Sequence, residues 1–253
     1  MDKLQVLDLF SGIGGFSLGL EKTGGFETVA FCEKDEFCKK VLKKHWSNVK
    51  IYEDIKRLTY DKLRSDGINT IDIITGGYPC QPFSTAGSQK GEQDERHLWS
   101  EMFRLIKECR PTWVIGENVS GHIKLGLDSV LEDLESEGYA TRTFSISASS
   151  IGANHKRERV WIIANSKRIR QQRQREYVRP SSTKKNTTWK TSWTFNESQG
   201  DKGWWELEPN VGRVAYGIPQ RMDRLKSLGN SLIPHIPNII GQIILRIPSA
   251  MKD

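Results

Sequence analysis

The sequence predicts an α/β fold, a parallel sheet with helices on both faces, and two observations carry that prediction. Short apolar runs at 4–10, 26–32, 49–52 and 71–75 alternate with stretches of helical spacing, the β-α-β pattern of a parallel sheet. The first run leads through Ser11-Gly12-Ile13-Gly14-Gly15 into a helix ending near Glu21. A glycine turn between strand and helix lets backbone amides approach a ligand at the helix N-terminus. The spacing is G-x-G-G rather than G-x-G-x-x-G, so this turn alone fits an unoccupied tight turn equally well.

The remaining elements follow in order. Phe26 to Cys32 reads as the second strand, with Glu33 just past it, where a carboxylate can accept hydrogen bonds from a ribose diol. Asp35 to Trp46 has helical spacing through Phe37, Val41 and Leu42, and Val49 to Tyr52 forms a short third strand that places Asp54 on the same rim. Ile71 to Thr75 is the fourth strand. Leu98 to Cys109 is helical, Thr112 to Gly116 is a fifth strand running into Glu117-Asn118-Val119, and His122 to Glu137 reads as one amphipathic helix. Tyr139 to Ile146 and Arg159 to Ala164 are the last strands, and Arg221 to Leu228 returns to order after the insert described below. Ile236, Ile239, Ile240, Ile243, Ile244 and Ile247 then mark a final helix that must bury a face on the first domain.

Directly after the fourth strand stands Gly76-Gly77-Tyr78-Pro79-Cys80-Gln81-Pro82-Phe83-Ser84. Pro79 and Pro82 fix their own φ and push Tyr78 and Gln81 out of the helical region, so the backbone around Cys80 is extended and stiff. A thiol held rigidly at a strand end is a candidate nucleophile, although most free cysteines of intracellular proteins are small buried hydrophobes. The polar stretch Thr85 to His97 beside it reads as a mobile lid. Glu117 is a second chemically capable group at a strand end, and the alternating Arg157 and Arg159 share a face if their segment is extended.

The chain of 253 residues has 36% hydrophobic content, enough for one large domain, and a net charge of +7 that favours a polyanionic partner. Its four cysteines show neither CxxC spacing nor a neighbouring histidine, so neither a zinc site nor a disulfide framework is expected. Without an apolar signal region or an 18-residue apolar run, a cytoplasmic protein with no membrane partner is expected. Composition shifts at Asn165: up to Ala215 there are eleven Lys/Arg against five Asp/Glu, together with Trp189, Trp193, Trp204 and Trp205. Cations for phosphates, with aromatic and hydrogen-bonding side chains for bases, suit a nucleic-acid groove, while a solvated linker has the same composition. The expected organisation is a catalytic α/β domain at 1–164, a small recognition insert at 165–216 and a segment at 217–253 that rejoins the first domain.

Taken together these motifs resemble the C5-cytosine DNA methyltransferases of phage and bacterial restriction-modification systems. Asp8-Leu9-Phe10-Ser11-Gly12-Ile13-Gly14-Gly15-Phe16, Pro79-Cys80-Gln81-Pro82-Phe83-Ser84, Glu117-Asn118-Val119, Arg157-Glu158-Arg159 and Gly229-Asn230-Ser231 match the family's motifs in the family's order. The resemblance implies a Rossmann-like methyltransferase sheet and S-adenosylmethionine as methyl donor. It implies Phe10 beside the adenine, Glu33 on the ribose, Asp54 and Ile55 at the adenine edge, and Trp99 with Asn230 and Ser231 at the methionine end. Ser11, Gly12, Gly14, Gly15 and Pro79 complete the expected cofactor site.

It also implies a cytosine flipped from duplex DNA. Cys80 would add to C6, Glu117 would hydrogen-bond the N3 edge, Arg159 would hold O2, and Arg157 would position Cys80 and the phosphate, with no metal. DNA contacts are expected from Ser84, Gln89 and Lys90 and from Arg179, Lys184, Lys185, Trp204 and Arg213 of the insert. A monomer paired with a restriction enzyme of matching specificity is the expected partnership. Two departures stand out: His155 occupies a position that is often Gln in the family, and the recognition region is short. The family's tRNA branch is the nearest rival reading, but this chain lacks that branch's Cys-Phe-Thr signature, having no cysteine after Cys109.

Overall fold

The computed structural model describes residues 2–79, 98–151, 157–166 and 231–247. Seven strands form one sheet: β1 (Leu4–Leu9), β2 (Phe26–Cys32), β3 (Lys50–Tyr52), β4 (Ile73–Gly76), β5 (Trp113–Val119), β6 (Tyr139–Ser147) and β7 (Glu158–Ser166). Their order is β3-β2-β1-β4-β5-β7-β6. The pairs from β3 through β5 are parallel, and β7 alone runs against its two neighbours. The order reverses beside β1, where the glycine turn leaves the sheet, and such a switch point opens a crevice at the carboxyl ends of the strands.

Among the described residues seven α-helices cover the sheet: α1 (Gly15–Glu21), α2 (Glu36–His45), α3 (Tyr60–Ser65), α4 (Trp99–Cys109), α5 (His122–Leu125), α6 (Leu127–Ser136) and α7 (His235–Arg246). Alternation along the strands builds one core on each face. Leu7, Ile74, Val114 and Ile162 pack with Leu63 of α3, Met102, Leu105 and Ile106 of α4, and Val130 and Leu134 of α6. Their neighbours Val6, Ile73, Ile115 and Trp161 turn the other way, against Phe16 and Leu20 of α1 and Ile236, Ile240 and Ile244 of α7. Adjacent residues thus bury on opposite faces, as a sheet covered on both sides requires. The final helix is therefore part of the core, as its isoleucine spacing predicts.

Several boundaries differ from the sequence reading for local reasons. The predicted helix over 122–137 is two helices, because the chain turns extended at Gly126, with φ 170°. A Cβ there would lie 3.3 Å from His122 Cε1, so a small residue is favoured at the break. Helix α3 escapes a periodicity search because it has only six residues; the Thr59 side chain caps it by accepting a hydrogen bond from Lys62 N. In α2 the Asp35 carboxylate does the same for Phe37 N at 3.0 Å and Cys38 N at 3.1 Å. Strand β4 is Ile73–Gly76 rather than 71–75, and just before it Asp72 Oδ2 ties the chain to β1 by accepting from Gln5 N at 2.8 Å. Strand β5 continues through Val119, so Glu117 lies within it, opposite Trp161 of β7. The segment 221–228, expected to return to order, and nearly all of the 165–216 insert lie outside the described residues.

Candidate active site

The site begins where β1 ends. Phe10 has φ 51°, a left-handed conformation that a bulky residue adopts only when its surroundings impose it, and such strain concentrates at ligand clamps. Here the surroundings are explicit. Ser11 Oγ donates to Asp8 O at 2.6 Å, Ser11 N donates to Cys32 O at 3.3 Å, and Gly14 N donates to Ser11 O at 2.8 Å. Gly14, at φ 86°, also backs onto the Trp46 ring, which a Cβ would meet at 2.6 Å. The G-x-G-G spacing therefore serves a turn that is both left-handed and close-packed.

Glu33 braces this turn from the end of β2. Its Oε2 accepts from Gly12 N at 2.7 Å and its Oε1 from Asp35 N at 2.7 Å. Each carboxylate oxygen keeps a second lone pair, so Glu33 holds the turn while still able to accept from a ligand diol. Two cavities meet at Phe10 and Glu33. One, of about 420 Å³, is lined among others by Asp54, Ile55, Pro79 and Leu98. The other, of about 220 Å³, is lined by Ser11, Gly12, Gly15, Gly77, Glu117 and Ser231. The fold thus gathers the glycine turn, two strand-end carboxylates and Glu117 along one rim.

Beneath the turn lies a buried carboxylate. Asp8 is fully excluded from solvent and accepts from Ser17 Oγ at 2.7 Å and Thr75 Oγ1 at 2.9 Å, tying β1 to α1 and β4. Burial pushes its pKa up to about 7, against the two hydroxyl donors. A carboxyl whose folded pKa exceeds its unfolded value stabilises the protein most at low pH, and that contribution fades as pH rises through the folded value. Asp8→Asn is therefore expected to reduce the fall in unfolding free energy between pH 5 and pH 7.5 by about 2 kcal/mol, measured by urea denaturation. Parallel pH slopes for parent and variant would contradict it.

Glu117 faces the cavity from β5. Arg159 Nε lies 3.0 Å from its Oε1, and both side chains are largely enclosed. The contact is an ion pair without the alignment of a hydrogen bond, so Glu117 Oε1 has no hydrogen-bond partner among the described residues. Arg157 Nε is likewise buried without one. Burial raises the Glu117 carboxyl above its usual range, opposed by Arg159 and Arg157; burial also lowers the Arg157 guanidinium, with Arg159 adding to the effect. An acid near two arginines, with unspent hydrogen-bonding atoms and a tendency to keep its proton, is suited to grip a polar heterocycle edge.

Of the expected residues, Phe10, Ser11, Gly12, Gly15, Glu33, Asp54, Ile55, Pro79, Glu117 and Ser231 line the two cavities. Trp99 lines neither. Its indole is 5% exposed, packs on Tyr78 and Phe103, and donates Nε1 to Asp133 Oδ2 at 2.7 Å. Its neighbour Leu98 borders the larger cavity instead, because the first turn of α4 directs Trp99 into the core. Sequence reasoning also passed over Lys34 and Lys56 in the larger cavity and Phe16 and Leu232 in the smaller, although Lys34 stands directly next to Glu33 in the chain. Cys80, Ser84, Gln89, Lys90, Asn230, Arg179, Lys184, Lys185, Trp204, Arg213 and His155 lie outside the described residues. Burial pushes the thiols of Cys32 and Cys109 up to about 12, which makes both poor nucleophiles. Among the described residues no cluster of His, Cys, Asp and Glu is placed to hold a metal ion, and no helix is long and apolar enough to cross a membrane.

Comparison with known proteins gives this rim a context. The chain is 33% identical over 174 residues to the type II methyltransferase M.HgiCII of Herpetosiphon aurantiacus, covering 67% of this chain and 39% of that protein. It is 37% identical over 164 residues to the type II methyltransferase M.CviJI of Paramecium bursaria Chlorella virus IL3A, covering 63% of this chain and 42% of that one. The match therefore spans about two-fifths of these relatives' length. Among solved structures, a DNA modification methyltransferase encoded within an E. coli prophage superposes with a TM-score of 0.57 at 29% identity, over 66% of this chain and 48% of that one. The S. pombe Dnmt2 methyltransferase shares the fold, with a TM-score of 0.56 at 22% identity over 65% of this chain and 51% of its own. The family model for C-5 cytosine-specific DNA methylases matches residues 4–213, more than half of the chain, and the chain belongs to that family.

Proposed function

We propose that this chain transfers a methyl group from S-adenosylmethionine to C5 of a cytosine flipped out of duplex DNA. The observation that carries the reading is the shared wall of the two cavities: the compartment suited to a nucleoside and the compartment that holds Glu117 are both lined by Phe10 and Glu33. The cavity residues fit the donor. Phe10 and Ile55 offer apolar surface to an adenine ring, Glu33 has free lone pairs for a ribose diol, and Gly12 and Gly15 leave the turn without side chains where a ligand approaches. When bound, S-adenosylmethionine supplies a methyl group on a positively charged sulfur.

The protein's part is to make C5 reactive. Cytosine C5 is a weak nucleophile, so the Cys80 thiolate adds to C6, forming the S–C6 bond and shifting the ring's electrons towards C5 and N3. Glu117, held towards its protonated form by burial, donates to N3 as negative charge develops there, and its second oxygen accepts from the exocyclic amine. Arg159 holds O2 and Arg157 keeps the thiol and the neighbouring phosphate in place. After C5 has been methylated its proton passes to solvent water, the C5–H electrons restore the C5=C6 double bond, the S–C6 bond breaks, and Cys80 departs as thiolate. Asn230 and Ser231 hold the methionine end of the cofactor, with Leu98 in place of Trp99.

In this reading Ser84, Gln89 and Lys90 approach the target base, while the basic insert at 165–216 grips the duplex through Arg179, Lys184, Lys185, Trp204 and Arg213. Catalytic domain at 1–164, insert and returning segment at 217–253 form one working unit, a cytoplasmic monomer with a restriction enzyme of matching specificity as its partner in the cell. The test is incubation of the full chain with duplex DNA carrying 5-fluorocytosine and S-adenosylmethionine. Since fluorine cannot leave C5 as a proton does, an adduct that survives denaturation and maps to Cys80 is expected. No adduct at any cytosine context, with labelled methyl also absent from ordinary duplex DNA, would overturn the proposal.

A further inference from the structure

Tyr78 is the last residue before the Pro79-Cys80 step whose side chain is anchored in the core, and it is 3% exposed. It is held at both ends, by Asn118 of β5 and by His122 at the start of the helix that follows. Asn118 Nδ2 donates to its backbone oxygen at 3.1 Å, and the Tyr78 hydroxyl shares a 2.8 Å hydrogen bond with His122 Nε2. The phenol donates when Nε2 is unprotonated and accepts when it carries the proton, so either tautomer keeps the link. His122, at 5% exposure, opens α5 just after the strand that carries Glu117, and its ring meets Tyr78 edge-on with centroids 5.4 Å apart. On its other side Tyr78 packs on Trp99 at 5.0 Å.

Core packing alone would ask for phenylalanine at 78 and an apolar residue at 122. A buried phenol paired with a buried imidazole adds direction, because a hydrogen bond fixes distance and angle where apolar contact fixes neither. We propose that Tyr78 and His122 are positioning residues, locking the backbone that delivers Cys80 to the strand that delivers Glu117, so that thiol and acid meet the same base in register. The role rests on the methyl-transfer reading above. Tyr78 and His122 touch neither base nor cofactor in this account and act only through Pro79-Cys80 and Glu117.

The test uses the full chain as parent, Tyr78→Phe, His122→Phe and the double variant. A displacement of about 1 Å between reacting groups costs up to about a hundredfold in rate, so Tyr78→Phe is expected to lower kcat by about ten- to a hundredfold, with KM for S-adenosylmethionine within about twofold. The rate at which iodoacetamide alkylates Cys80, followed by peptide mass spectrometry, is expected to change in the same variant. The double variant replaces both polar partners with apolar rings, which restores thermal stability without restoring direction. Recovery of melting temperature with kcat still low is the expected result. Recovery of kcat together with stability, or equal alkylation in parent and Tyr78→Phe, would overturn the proposal. If the parent itself transfers no methyl group, the methyl-transfer reading fails, and the alkylation rates still decide whether the pair positions Cys80.

Discussion

Glu117→Ala is expected to lower kcat for methyl transfer by about 10²- to 10⁴-fold, the usual worth of a positioned general acid. The substitution removes more than a proton donor. Arg159 lies 3.0 Å from Glu117 Oε1 and Arg157 bears on the same carboxyl, so alanine leaves two neighbouring cations facing an uncharged wall. Glu117→Gln separates these effects, because its amide can still donate to N3 but cannot titrate. Burial raises the Glu117 pKa, so its acid form persists to higher pH than an exposed glutamate's and is lost as pH climbs through the folded value. The ratio of parent to Glu117→Gln activity should therefore decline with rising pH, whatever Cys80 contributes to both profiles. A flat ratio in single-turnover assays, or Glu117→Ala activity within threefold of the parent, would remove Glu117 from the acid role.

Gly19→Ala is expected to destabilise the fold by about 3 kcal/mol, near the upper end of overpacking costs. A Cβ at position 19 would lie 2.2 Å from the Pro234 carbonyl oxygen and 2.9 Å from Pro237 Cβ, and backbone at a helix start cannot swing aside as a flexible side chain would. Alanine gains about 1 kcal/mol of helix propensity over glycine, which is too little to offset the clash. The partner helix meets the same constraint, since a Cβ on Gly241 would come within 3.0 Å of Leu20 and 3.1 Å of Phe26. Asn238 Nδ2 donates to Gly19 O at 3.1 Å across the same crossing. For a domain of this size the loss corresponds to a fall in melting temperature of about 6–12 °C. An unchanged melting temperature would mean that α7 does not dock on α1 as described.

Periodicity made most of the sheet legible. Strands β1, β2 and β3 and helices α1, α2, α4 and α7 appear within a residue or two of the expected positions, because each buries a continuous apolar face that leaves a repeating mark in the sequence. Periodicity does not encode pairing direction. The antiparallel β7 between two strands that share the opposite direction is fixed by which edge a returning chain can reach. Short or interrupted elements were also hidden: α3 has too few residues to show a period, and Gly126 divides a stretch whose apolar spacing looks unbroken.

The candidate site divides along the same line. Residue types at strand ends were readable, since chemistry collects there and Phe10, Glu33, Asp54 and Glu117 each follow or close an apolar run. Which way a side chain turns was not. The family resemblance puts Trp99 at the methionine end, yet helix phase carries it into the core and leaves Leu98 at the cavity. The amino-acid order by itself determined the α/β class, the motif order and the rim on which the reactive groups fall, because these depend on local spacing. Only the tertiary structure decided that Glu33 braces Gly12, that Asp8 is sealed beneath the turn against Thr75, and that Tyr78 meets His122, because each joins groups that are near in space and far apart along the chain.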